Sequence, residues 1–424
     1  MLGPSRARPA SIGHFVERAN ADLVAPERDW PPHDSVTQPW RQAQRGGTAA
    51  DRKLSQVMAA LPPRIAELDY QPTPSVQALI ERAAAAISSL DSEDGGDLAA
   101  FSRFLIQTEA VSSSKIEHVE ARTEDFARAL AGIKADAAAT SMVAATRAIT
   151  TMIDRAGETG ELVLADTLEA HRLLMADDPL DRRYAGAPRV QQNWIGGSDH
   201  SPRDAVHVPP PPVTLAGYLD DLYRFANRDD LPAVVQAAIV HAQFESIHPF
   251  TDGNGRIGRA LINAVFRRRG LTHRTVVPVA SAMVADRPGY FALVNSYRDG
   301  ILGPFVESLA RSAIVAAEES RESARRLRTM PDDWSDLVPA RAGSASSRLL
   351  DALLAHPVLT ADEVETIAGG SSQAYRAIEQ LVAAGILREI TGRRRNRVWL
   401  AVDVGAELDD VVMRIAARTG HSSR

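Results

Sequence analysis

The run His248-Pro249-Phe250-Thr251-Asp252-Gly253-Asn254-Gly255-Arg256-Ile257-Gly258-Arg259 places an imidazole, a carboxylate, a glycine turn and two guanidiniums within twelve positions. These are the parts needed to hold a polyphosphate and to activate a nucleophile beside it. Gly253-Asn254-Gly255 makes a tight turn, and the helix expected to start there presents unpaired backbone N–H groups to an anion. Such a helix end stabilises a charge by roughly 0.3–1 kcal/mol at an exposed site. Arg256 falls in the first turn and Arg259 three residues on, on the same face, so both guanidiniums can converge on phosphate oxygens. Asp252 adjoins this nest. A carboxylate there repels a bare polyphosphate but makes sense where a Mg²⁺ ion bridges the two. His248 precedes the turn, and a neutral imidazole suits removal of a hydroxyl proton. Phe250 is expected to point into the core and pin the loop. His241, Glu245 and His248 share a helix face, but their spacing is not the H-E-x-x-H of a zinc protease, and His241 and Glu245 are read as helix-face contacts.

The elements that position this run are mostly helical. Residues 231–247 form the helix before it, ended by the residue preceding Pro249, and residues 254–270 the helix after it. Further helices are expected over 74–90, from 98 to about 108, over 123–133, 139–157, 161–176, 213–228, 287–299 and 304–328. From Thr48 onward Leu54, Val57, Met58 and Leu61 recur at helical spacing, stopped by Pro62-Pro63. The segment DWPPHDSVTQPW reads as extended. Residues 191–212 contain Gly196-Gly197 and a proline run, the signature of a hairpin flap followed by a rigid connector.

The expected divisions are an extended segment (1–47), an N-terminal helical block (48–135), the domain holding the run (136–330), a linker (331–344), a small C-terminal unit (345–405) and a tail (406–424). The net charge of −6 gives no overall pull toward nucleic acid or membrane, and the absence of cysteine excludes disulfides and thiolate metal sites. No apolar run approaches the roughly 18 residues of a membrane span, and the N-terminus lacks the apolar core of a secretory signal. The expected location is the cytoplasm, without membrane contact.

The run resembles the signature of Fic-domain proteins, H-P-F-x-[D/E]-G-N-G-R-x-x-R, at every specified position. The resemblance extends to the 191–212 flap, the helices around it and Tyr290 to Arg298. It implies a mainly α fold: a Fic-type helical core with a β-hairpin flap. It also implies a protein adenylyltransferase, moving AMP from ATP to a Ser, Thr or Tyr hydroxyl of a target protein. His248 would be the general base and Asp252 the Mg²⁺ ligand. Gly253, Asn254 and Gly255 would form the anion hole. Arg256 would neutralise charge on the β-phosphate side and Arg259 would hold the γ-phosphate. Trp194, Ile195, Gly196 and Gly197 would clamp the target by strand-like pairing. Gly255 stands where kinase-type relatives carry lysine, which favours AMP transfer over phosphate transfer. Another nucleotide or a phosphocholine donor would share the site and differ in its base pocket, for which Tyr290 and Asn295 are candidates.

Ser112 to His118 resembles the inhibitory motif of the same family, [S/T]-x-x-x-E-[G/N], with Ser113 and Glu117 matched and His118 departing from it. The resemblance implies that Glu117 pairs with Arg259 and denies it to the γ-phosphate. Removal of AMP from the target and a homodimer are further implications. Residues 345–405 resemble a winged helix-turn-helix. Its second helix, with Ala374, Ile378, Leu381 and Val382 inward, would offer Gln373, Tyr375 and Arg376 to a major groove, and Arg393, Arg394 and Arg395 to phosphates. The alternative function is therefore a nucleotide-sensing, DNA-binding transcriptional regulator.

Overall fold

A computed structural model describes residues 28–42, 46–93, 98–393 and 396–421. The chain opens with β1 (Asp34–Pro39), a one-turn helix α1 (Ala49–Lys53) and β2 (Gln56–Leu61), which pairs antiparallel with β1 from Asp34↔Leu61 to Pro39↔Gln56. The helix expected across Leu54 to Leu61 is thus mostly strand. Val57 and Ala59 are buried while Met58 is 66% exposed, a period of two that a ladder partner turns into strand. The extended reading of the segment before it agrees with β1.

Among the described residues nine α-helices follow: α2 (Pro74–Asp91), α3 (Leu98–Ile116), α4 (Thr123–Leu130), α5 (Ala137–Thr159), α6 (Leu164–Met175), α7 (Leu215–Ala226), α8 (Ala233–Ile247), α9 (Asn254–Arg268) and α10 (Val279–Ala285). Then come α11 (Arg287–Arg298) and the long α12 (Gly303–Leu337). α8 is the axis of the core: every residue from Val234 to Ile247 is buried, so it has no polar face and needs neighbours on all sides. α9 packs along it, and α5, α7, α2 and α12 close around the pair. The turn holding the candidate site is therefore fixed between two of the most enclosed helices.

α12 runs through Pro331, where a linker was expected. An interior proline costs a helix about 3 kcal/mol. Here the turn beyond it is anchored: Trp334 is 1% exposed and its indole N–H donates to Asp403 Oδ2 at 2.7 Å. The C-terminal unit comprises α13 (Ala345–Ala352), β3 (Val358–Thr360), α14 (Ala361–Ala368), α15 (Ser371–Ala383), β4 (Leu387–Glu389) and β5 (Val398–Ala401). Its antiparallel sheet has the order β3-β5-β4. Thr360 and Glu363 form a capping box on α14, and Gly369 ends it with φ 78°. On α15, Ala374, Ile378 and Leu381 face inward as expected, but Val382 is 39% exposed and Ala377 takes the inward position. The tail expected from 406 belongs to α16 (Val402–His421), which spans that boundary. It packs against α10, α12 and α3 through Val404, Leu408, Val411 and Ile415, with buried Glu407 bridging Arg414 and Ser323.

Candidate active site

His248 is the C-cap of α8 and sits in the left-handed region, φ 47° and ψ 61°. That conformation costs a non-glycine residue roughly 1–2 kcal/mol and persists only where neighbours impose it. Its N–H closes α8 on Phe244 O at 2.8 Å, while Pro249 forbids a further helical turn. Phe250 then enters the core at 1% exposure and stacks on His171, centroids 3.7 Å apart. The Asn254 side chain closes the loop in both directions: it accepts from Phe250 N–H at 2.8 Å and donates to Phe250 O at 2.8 Å. The amide side chain is thus used to shape the turn, and what Asn254 can offer an anion is its backbone N–H. Gly253, the N-cap of α9, has φ 80°; with no side-chain cap there, the first N–H groups of α9 lack an intrahelical partner.

Arg256 is 6% exposed and donates to Ser141 Oγ at 2.7 Å, while its Nε has no partner. Asp252, about half exposed, lies 3.7 Å from Arg256. Arg259 is fully buried. Its Nε donates to Ser113 Oγ at 2.9 Å, and its Nη2 donates to Ser113 O at 2.9 Å and to Glu117 Oε1 at 2.8 Å. The structure thus brings Ser113, Glu117 and Arg259 together from segments far apart in sequence. A Cβ on Gly255 would collide with the Glu117 carboxylate, so this carboxylate lies over the first turn of α9 itself. Burial opposes ionisation of Glu117, but Arg259, then Arg256 and Arg287, outweigh it and its pKa is lowered. An anionic group already occupies the mouth of the N–H nest.

The local chain explains how Glu117 arrives there. α3 ends in a Schellman cap: His118 N–H bonds Lys115 O at 3.0 Å and Val119 N–H bonds Ser114 O at 3.0 Å. This cap requires a left-handed residue at His118, which has φ 59°. Glycine or asparagine, the usual family choices, adopt that conformation most easily. Histidine adopts it here with its ring held by Arg287. The departure in the motif therefore keeps the backbone shape that delivers the carboxylate.

His248 Nδ1 is enclosed without a partner. Burial first, then the Arg189 and Arg298 guanidiniums, lower its pKa to about 3, so the ring is neutral at physiological pH. Behind Arg259 lies a second buried layer. Tyr290, 5% exposed, shares its hydroxyl with His241 Nε2 at 2.9 Å and Arg259 at 3.5 Å. Glu245 is buried with an unpartnered oxygen, and burial raises its pKa to about 7. His241 and Glu245 thus support the site from beneath, and no cluster of three metal-ligating side chains exists among the described residues. Tyr290 stands behind Arg259 rather than on an open wall. Asn295, the other base-pocket candidate, accepts from Arg298 at 2.7 Å.

In the flap, Ile195 bridges His207. Trp194 meets Trp40 edge-on, centroids 5.4 Å apart. Gly196 and Gly197 both have φ 72°, and a Cβ on Gly197 would strike the backbone of Arg203. Ala60 N–H donates to Val208 O at 2.8 Å, so β2 already lies along the far edge of this hairpin. Gln373, Tyr375, Arg376 and Arg393 are exposed on the C-terminal unit, while Arg394 and Arg395 lie outside the described residues.

Two residues of the site escaped the sequence. His171 accepts from Gly186 N–H through Nδ1 at 2.9 Å, so its Nε2 carries the proton and donates to Asp252 O at 3.0 Å. Arg189, 4% exposed, donates to His248 O at 2.9 Å and to Pro210 O at 2.6 Å. A histidine on an amphipathic helix and an arginine in a loop carry no pattern that announces such contacts; the only signal was the nearness of Arg189 to the flap.

Comparison with known proteins agrees with this geometry. A model of the Fic/DOC family matches residues 161–266. Over 154 residues the chain is 31% identical to the "Protein adenylyltransferase Fic" of Drosophila erecta, covering 35% of this chain and 28% of that protein. The protein of the same name from Drosophila virilis is 32% identical over 154 residues, with the same coverage of 35% and 28%. The chain thus spans little more than a quarter of the length of these curated relatives. A Fic family protein from Desulfovibrio desulfuricans G20 superposes with a TM-score of 0.50 at 20% identity, covering 78% of this chain and 98% of that one, which establishes a shared fold. His248, Arg259, the loop between them and the flap residues before them all lie within the 161–266 segment that matches the Fic/DOC family model, so the candidate site sits in the part of this chain that is similar to Fic proteins.

Proposed function

We propose that the chain transfers AMP from ATP to a hydroxyl side chain of a target protein, and that Glu117 restrains this activity from within. The observation that carries the reading is the Glu117 carboxylate lying on Arg259 at the mouth of the α9 N–H nest. An anion-binding site built from a helix N-terminus and two buried arginines fits a polyphosphate, and the chain fills it with its own carboxylate. With Glu117 withdrawn, Arg259 takes the γ-phosphate and Arg256, through its unpartnered Nε, the β side. His248 removes the hydroxyl proton as the oxygen attacks the α-phosphorus; that P–O bond forms, the bond to the β-phosphate bridge breaks, and pyrophosphate leaves. An arriving polyphosphate raises the basicity of His248, offsetting the pull of Arg189 and Arg298. Positioning and electrostatics supply most of such catalysis.

Mg²⁺ suits the residues present. Asp252 offers one half-exposed carboxylate beside the phosphate cradle, and Mg²⁺ is commonly held by one or two carboxylates with substrate phosphates. Bound there, it would neutralise phosphate charge. The flap would align the target segment, and His171 would keep the Asp252 loop in place. The test is labelling of protein by α-³²P-ATP but not by γ-³²P-ATP, in a Glu117→Gly background.

The exposed Gln373, Tyr375 and Arg376 on α15 favour a second reading: the C-terminal unit is a winged helix that contacts DNA. Full-length protein carrying His248→Ala is then expected to shift duplex DNA as well as the parent does, with affinity falling steeply as salt rises. No shift at low salt removes this reading.

A further inference from the structure

Arg189 is a buried guanidinium whose partners are all backbone carbonyls. It donates to His248 O at 2.9 Å, Pro210 O at 2.6 Å, Gln191 O at 3.3 Å and Ile247 O at 3.4 Å. Its own N–H donates to Pro249 O at 2.8 Å. No carboxylate lies within ion-pair distance of it among the described residues. A buried cation without a counter-ion is costly, and burial lowers its pKa to about 10. The fork therefore joins three pieces of chain: the last turn of α8, the left-handed His248–Pro249 step, and both ends of the flap at Gln191 and Pro210.

Resting on the AMP-transfer reading, we infer that Arg189 is a positioning residue that locks the His248 backbone and the flap into one rigid unit, so that base and target hydroxyl are registered against each other. A lysine reaches one or two of these carbonyls but cannot span the fork. The cation also acts on the imidazole. The charged groups facing His248 are Arg189 and Arg298, with His207 on the flap side. Loss of Arg189 removes one cation and lets the ring titrate closer to its ordinary 6.5. Transfer needs the neutral ring, so activity falls as pH drops through that pKa, and the acid limb moves to higher pH when the pKa rises.

The experiment compares Arg189→Gln and Arg189→Lys in full-length Glu117→Gly protein. Expected for Arg189→Gln are a melting temperature that still reports a folded chain, kcat lower by about 10²-fold, the usual result of a misplacement near 1 Å, and a KM for ATP within about twofold, as expected for an interaction absent from ground-state binding. Arg189→Lys is expected to recover part of kcat and to keep the parental acid limb. The His248 pKa is read directly by NMR titration and needs no turnover. Parental kcat and an unmoved His248 pKa in folded Arg189→Gln overturn the inference. An inactive Glu117→Gly parent overturns the AMP-transfer reading instead, and the NMR titration still decides the effect of Arg189 on His248.

A separate observation concerns the brake. α4 begins shortly after Glu117, and the C-terminal unit and α16 grip it together. Glu124 pairs with Arg388 at 2.8 Å, Thr123 donates to Asp409 at 2.8 Å and Arg128 donates to Ile390 O at 2.5 Å. Ala127 packs in a small core with Ile390, Val398 and Leu400. From these contacts we propose that the C-terminal unit is the latch of the Glu117 brake, again resting on the reading above. In the full chain, Glu124→Arg and Arg388→Glu each raise α-³²P labelling, by up to about fivefold for a surface ion pair, and the double exchange returns it toward the parent. Ala127→Asp, which breaks the apolar contact, raises it further if the chain folds. Labelling unchanged in both single charge reversals, while Glu117→Gly is active, refutes the latch.

Discussion

Glu117→Gly protein is expected to incorporate AMP about 10- to 100-fold faster than the parent. The carboxylate makes one charge-assisted hydrogen bond to Arg259 at 2.8 Å, an interaction of roughly 1.5–3 kcal/mol, and each 1.4 kcal/mol is about a factor of ten. Arg259 does not collapse when Glu117 is removed, because Ser113 still accepts from it through Oγ and backbone O. The guanidinium stays aimed and gains a vacancy of the right charge and shape for a terminal phosphate. Position 117 precedes His118, the left-handed residue of the Schellman turn, so the substitution leaves that cap in place and the variant is expected to melt within a few degrees of the parent. Equal labelling of the two proteins, both folded, would remove Glu117 from the control of the site.

His248→Ala in the Glu117→Gly background is expected to reduce transfer by about 10²–10⁴-fold, the usual worth of a general base. ATP binding is expected to remain, since Arg256, Arg259 and the α9 N–H groups are on the other side of the loop. Alanine at a left-handed position is strained, so His248→Asn, which tolerates φ near 47°, separates loss of the base from loss of loop shape. If both variants transfer AMP as fast as their parent, the imidazole is not the base.

Much of the site was legible because its chemistry is written in consecutive residues. A proline, two glycines and an asparagine fix where α8 stops and α9 starts, and two arginines at i and i+3 share a face. The Glu117–Arg259 contact was legible only through a motif, since nothing in spacing alone joins α3 to α9. Misreadings fell where tertiary contacts overrule local pattern. Val57 to Leu61 fits a helix until β1 supplies a ladder. Pro331 should end α12, but Trp334 holds the next turn in the core. Tyr290 has a hydroxyl suited to a ligand, yet it is spent on His241 and Arg259. Arg189 and His171 act through backbone atoms of other segments, and single-sequence reading contains no trace of a partner's carbonyl.

The central claim is that one site, formed by His248 and Arg259 and restrained by Glu117, moves AMP onto protein. The most direct measurement incubates full-length parent, Glu117→Gly and Glu117→Gly/His248→Ala with a cell lysate, Mg²⁺ and either α-³²P- or γ-³²P-ATP, and reads protein-bound label. The account predicts strong α label with Glu117→Gly, weak label with the parent and little with the double variant, and no γ label in any of them above lysate alone. Protein label carried by the γ-phosphate, or α label equal in all three, would contradict it.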